Sequence, residues 1–211
     1  MADEFHPAPL GGAWDSALLA TVAEINEQLL ERLRLMAHEQ ESQAPRLVAL
    51  LREDWRRLDA KAQRRLSGCP YLLLDAGFAQ PHRWDGIATA RIMEATAHRG
   101  YFADHGGIGL VRRTLVLAWH LARSNRVTAR VILGLSALSA ERIAASRLAD
   151  LEALAELAPG WIVPRWEQQP NVWRQLLAAG CRAQPQLLRQ AQLRGLQLLA
   201  RANAAQGAAD G

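Results

Sequence analysis

The 211-residue sequence predicts an all-α fold, a multi-helix orthogonal bundle whose C-terminal half is helix-turn-helix-like. Three observations predict it. Apolar residues recur at steps of three and four, no run alternates with period two, and Gly, Pro and Ser punctuate many short segments. Half of the residues are apolar and 22% are charged, which is enough for a sizeable core and excludes a wholly disordered chain.

Asp15 is placed to cap a first helix whose stripe runs Leu18, Leu19, Val22, Ile25, Leu29, Leu33 and Met36, with Glu24, Glu27, Glu31 and Arg34 outside it. Such a stripe either packs on the chain's own core or seats a partner helix. After the break at Ser42-Gln43-Ala44-Pro45, a second helix has Leu47, Leu51, Trp55, Leu58, Ala62 and Leu66 as its buried face. Arginines with interleaved acids cover the rest, as on a solvated face. Segment 71–109 is rich in glycine, and a helix is predicted at 87–98. Further helices follow at 111–123, at 126–133 ended by Gly134, at 137–145 capped by Ser136, and at 148–157 capped by Ser146. Pro159-Gly160 and Pro164 keep 161–166 extended. Two last helices span 172–179 and 186–203. The expected organisation is an N-terminal helical extension over 1–109, a helical domain over 110–203 and a disordered tail over 204–211.

The net charge is +4, and 24 of the 25 basic side chains are arginine, Lys61 being the one lysine. That balance permits an anionic partner without demanding one. Cys69 and Cys181 form no CxxC pair, which excludes a disulfide scaffold or a cysteine-rich zinc site. The start reads as no signal peptide, and no apolar run reaches the roughly 20 residues a membrane span needs. A cytoplasmic protein with no membrane association is expected.

Between residues 117 and 157 the sequence carries Leu117-Ala118, Leu121, Ala129, Leu133-Gly134, Ala140, Ala144-Ala145, Leu148 and Leu154-Ala155-Glu156 in one continuous register. In this register it resembles FlhD, the helical subunit of the bacterial flagellar master transcriptional activator. The likeness extends over about 111–200 and includes Arg165-Trp166, where that family has an arginine followed by an aromatic. Val163 stands where typical members carry a cysteine that can cross-link the dimer. The resemblance implies an all-helical homodimer that joins an FlhC-like protein partner, binds promoter DNA and recruits RNA polymerase. It further implies that the C-terminal helices help to contact DNA, and that the zinc-binding cysteines belong to the partner.

The residues themselves offer chemistry for the same task. On the last helix Leu187, Leu188, Ala191, Leu198 and Leu199 make one face. Gln190, Arg194, Gln197 and Arg201 gather on another, with Arg189 and Arg182 nearby, in an acid-free run from Arg174 to Arg201. Arginine suits phosphates and guanine edges and glutamine suits adenine, so this face is a candidate for DNA, with an ordinary wet helix face as the alternative. Trp161, Trp166 and Trp173, together with Leu18, Val22, Ile25 and Leu29, are the candidate partner-binding residues; core packing is the alternative for both sets.

No phosphate-loop, GxSxG, HExxH or paired-carboxylate pattern stands out, so the chain reads as no enzyme and implies no cofactor. Gly106-Gly107-Ile108-Gly109-Leu110 reads as a hinge or, less readily, a phosphate cradle. His82, His98 and His105 with Asp85 and Asp104 match no metal-ligand spacing, so no metal is expected. His120, between Trp119 and Leu121, reads as a core histidine. The function expected is that of a DNA-binding transcriptional regulator acting with a partner protein. The alternative is a helical adaptor or anti-activator that does not itself touch DNA.

Overall fold

The computed structural model describes residues 16–39, 44–85 and 100–209. The described residues form ten α-helices and one two-residue β-bridge, so the fold is all-α. The predicted helix at 87–98, with His98, and the Asp15 cap lie outside the described residues.

The first helix, α1 (Ser16–His38), buries Val22, Ile25, Leu29 and Leu33 of the predicted stripe, while Leu18, Leu19 and Met36 at its two ends are half-buried. The next apolar stripe is also buried as expected, but its single predicted helix is broken into α2 (Arg46–Leu50), α3 (Arg52–Arg56) and α4 (Ala60–Ser67). One cause is local: the Asp59 carboxylate accepts from the Ala62 backbone N–H at 2.6 Å, which caps a new start instead of continuing the old helix. Gly180 of a later helix then lies against Leu66, where a Cβ would come within 2.6 Å of Leu66 Cγ.

From Tyr71 the chain is extended. The bridge strand β1 (Leu74–Asp75) pairs antiparallel with β2 (Val163–Pro164), Leu74 opposite Pro164. Then comes α5 (His105–Ser124), which begins six residues before the predicted start. Asp104 caps it by accepting from Gly107 N–H at 2.8 Å. The glycine run is therefore a helix start and not a hinge, and the carboxylate fills the position a phosphate would take. Gly107 is required by packing, since a Cβ there would fall 2.5 Å from the Phe102 backbone.

Helices α6 (Arg126–Leu133), α7 (Ala137–Ala145) and α8 (Leu148–Leu157) follow as predicted. Gly134 ends α6 at φ +71°, and Ser136 caps α7. Ser146 does not cap α8: its hydroxyl donates back to the Arg142 carbonyl. After α9 (Pro170–Cys181), α10 (Pro185–Ala209) continues through most of the stretch expected to be a disordered tail.

The boundary expected at 109/110 falls inside α5. Helix α1 packs on α3, α4 and α5, and α9 packs on α3, α4 and α10. One contiguous core runs from Val22 through Trp55, Tyr71, Leu115 and Ile143 to Leu199, so the described residues before 110 build the same core as those after it. No described helix is long and apolar enough to cross a membrane.

Candidate nucleic-acid interface

Helix α10 is held by one narrow side. The turn before it places Ala183 at φ +53°, and Pro185 opens the helix. Leu188, Ala191, Gly195 and Leu199 then recur at helical spacing toward the body, with Gly195 and Leu199 buried. Gly195 sits so close to Tyr71 that a Cβ would fall 2.0 Å from the ring hydroxyl. Leu199 lies over Gly134, where a Cβ would fall 2.9 Å from one of its methyls. Gln192 donates to the Gly68 carbonyl at 3.4 Å. Leu187 and Leu198, expected on this buried face, lie half-buried on its flanks.

Turning away from the body by more than 90° brings round the other predicted set. Gln190, Arg194, Gln197 and Arg201 are all exposed, and they line one cleft of about 500 Å³ with Leu193 and Leu198. Gln190 and Arg194 also belong to a second cleft, of about 320 Å³, between α9 and α10, which Arg182 and Leu187 complete. Arg189 is exposed one step round the helix. Arg194 donates to the Gln175 side chain at 2.7 Å, which fixes its guanidinium without neutralising it. Among the described residues none of Arg182, Arg189, Arg194 and Arg201 is in an ion pair. The nearby cation that is paired is Arg174, with Asp54 at 3.8 Å. No acidic residue occurs in the sequence between Glu167 and Asp210.

The tryptophan set is not a docking surface as a whole. Trp173 has no exposed surface; its ring lies 5.3 Å from Trp55 and its Nε1–H donates to the Arg165 carbonyl at 2.6 Å. Trp161 and Trp166 are half-buried, the first under the Arg83 guanidinium at 4.5 Å and the second edge-on to Tyr71 at 5.7 Å. Val22, Ile25 and Leu29 are likewise core residues, at 0%, 3% and 0% exposure, because α3 and α4 cover the stripe that a partner helix would need. Leu18 stays half-buried at its open end.

Two carboxylates of the glycine-rich region, Asp85 and Asp104, serve structure, while His82 and His105 are exposed and His98 lies outside the described residues. Asp85 pairs with Arg142 at 3.0 Å. The Arg32 guanidinium beside Asp104 holds that carboxyl below its ordinary value. Among the described residues no group of three or more His, Cys, Asp or Glu is placed to hold a metal ion. His120 is exposed, not in the core: it follows the buried Leu117-Ala118 pair by more than half a turn and opens on a groove between α1, α5 and α6.

That groove is the surface the sequence did not announce. It encloses about 1100 Å³, with Leu18, Ile25, Val116 and Leu117 on one side and Val127 and Val131 on the other. The signal was present but faint: α6 buries Ala129, Ile132 and Leu133 and carries a second apolar pair, Val127 and Val131, one turn apart on its other face.

Comparison of this chain with protein-family models, with curated proteins and with solved structures finds no match.

Proposed function

We propose that this chain is a DNA-binding subunit of an FlhD-like transcriptional regulator, that it holds duplex DNA with the outer face of α10, and that it works as a dimer with a second, FlhC-like protein. The observation that carries the reading is the outer face itself: six cationic or amide side chains in solvent, all but Arg189 on two adjoining clefts, with no carboxylate drawn onto the four arginines among the described residues. Arg189 and Arg201 are 12 residues apart, about 18 Å of helix axis. That length faces about five base pairs of duplex.

Four arginines reach at most four phosphates. For one chain in contact with the duplex the expected salt slope is then about −3.6, a loss of roughly 10²-fold in affinity between 50 and 200 mM salt. The second protein enters the reading through the FlhD-like resemblance of residues 111–200. Glutamines between the arginines supply groups for base edges, and Leu193 and Leu198 supply apolar contact of the kind a thymine methyl accepts.

The test is anisotropy of a labelled 30-base-pair duplex against the full chain at several salt concentrations. R194A/R201A is expected to weaken binding and bring the slope to about −1.8, with helicity unchanged. An unchanged affinity and slope overturns the reading. One observation favours the adaptor or anti-activator alternative: Leu187, Leu193 and Leu198 lie among the cations, with Leu193 58% exposed. That alternative requires no duplex shift at any salt concentration.

A further inference from the structure

The groove between α1, α5 and α6 is built for a helix that this chain does not supply from its described residues. From the geometry we infer that it docks an amphipathic helix of another protein, with apolar residues one turn apart on one face and carboxylates at the flanks. This inference uses none of the α10 residues and stands or falls apart from the DNA reading.

Two features give the floor its length. Along α1 the groove runs from Leu18 to Ile25, seven residues and about 10 Å of axis, so two turns of a guest helix fit alongside; Leu18 is half-buried and open to the guest, while Ile25, at 3% exposure, only closes the far end. Opposite them Val127 is 74% exposed and Val131 37% exposed, an unpartnered pair on a short helix whose other face already supplies its core contacts. Helix-in-groove recognition seats apolar anchors at i, i+3 or i+4 and i+7, and the groove's two walls offer that pattern a matching surface.

Charge selects the guest. The lining carries Arg112 and Arg113 against one carboxylate, Glu24, and Arg113 already answers Glu24 at 3.3 Å. Arg112 reaches Glu156 with one Nη at 2.6 Å, but its Nε–H is buried and has no acceptor. Arg130, three residues along α6 from Val127, is exposed and in no ion pair among the described residues. A guest with Glu or Asp beside its apolar stripe meets donors on both edges; a basic guest meets repulsion.

The experiment selects helical peptides from a display library against the full chain. The library holds Leu at i, i+4 and i+7 and randomises the flanking positions. The selected peptides are expected to be enriched in Glu and Asp at the flanks. They should bind V127D/V131D at least about tenfold more weakly, while that variant keeps the circular dichroism spectrum and melting temperature of the parent. Arg113→Glu, which leaves the apolar floor intact, is expected to lower the preference for acidic over basic flanks. Failure to select any peptide, flanks without acidic enrichment, or equal binding to V127D/V131D each overturns the inference. So does sedimentation showing that the chain self-associates and that V127D/V131D abolishes this, because the occupant would then be a second copy.

Discussion

Arg165 donates from Nη2 to the carbonyl of Leu133, 2.8 Å away, and so ties the segment after β2 to the last turn of α6. The same guanidinium donates to the Leu72 and Leu74 carbonyls, each at 2.8 Å, while the Arg165 backbone N–H donates to Leu73. One planar fork thus satisfies three carbonyls from two distant segments at a site with 4% exposure. A lysine keeps the charge but cannot reproduce that fork. Leaving buried acceptors unpaired costs about 1–3 kcal/mol each. Arg165→Lys is therefore expected to lower the unfolding free energy by about 3 kcal/mol in a urea titration, and Arg165→Met by no less. A loss below about 1 kcal/mol for R165K would show that charge, not fork geometry, is what the site needs.

The fit of α10 on Tyr71 gives the second prediction. With an ideal Cβ 2.0 Å from the Tyr71 hydroxyl, Gly195→Ala forces the helix outward or the ring out of place. Overpacking of this kind costs about 1–3 kcal/mol. The change is expected to speed amide exchange through α10 before it alters the rest of the molecule, because the helix rests on few buried residues. Tyr71→Phe removes the nearest atom, so the double variant should lose less than the sum of the two single losses. Strict additivity would mean that the ring and the glycine are not in contact.

These cases mark what was legible in the sequence and what was not. Some signals acting within a few residues are legible, such as Gly134 in the left-handed position, Ser136 as a cap and the 190/194/197/201 stripe as the wet side of α10, whereas Ser146 does not cap α8 and the caps at Asp59 and Asp104 go unread. Signals needing a distant partner were misread or missed. Gly195 lacks meaning until Tyr71 is brought beside it, and Trp173 looked like a surface anchor because nothing local shows Trp55 across from it. The apolar groove joins Leu18 to Val127, more than a hundred residues away, so no window of sequence contains it. Apolar periodicity identified which faces are buried without saying what buries them.

The two thiols are expected to behave oppositely. Cys181 is exposed, whereas Cys69 is buried and desolvation pushes its thiol up to about 12. At pH 7.5 a disulfide reagent should titrate one thiol quickly and the second at the rate of global or sub-global opening. The sign for stability follows. The folded value lies above the unfolded one, so the contribution of Cys69 is complete below the unfolded thiol's ordinary range and is lost as pH climbs toward 12. Cys69→Ala should flatten that alkaline decline. Rapid reaction of both thiols in the native protein would contradict the burial.

Asn26 is the buried amide that anchors α1. Its Nδ2 donates to the Ser67 and Tyr71 carbonyls at 3.2 and 3.0 Å, and its Oδ1 accepts from the Leu73 N–H at 2.8 Å. Asn26→Leu has similar volume but strands all three backbone groups at a site with no exposure, and is expected to cost about 3 kcal/mol or more. Asn26→Asp is the sharper test, because it keeps the acceptor for Leu73 and puts an oxygen in place of the amide that donates to two carbonyls. Burial and those carbonyls favour the protonated acid, which can still donate once, so the folded value lies above the unfolded one. The stability of N26D is then greatest below the ordinary carboxylate range and falls as pH rises. Its deficit relative to the parent, measured by urea unfolding at pH 4 and pH 8, is expected to be smaller at pH 4. An equal deficit at both would mean that this side chain does not face the carbonyls of Ser67 and Tyr71.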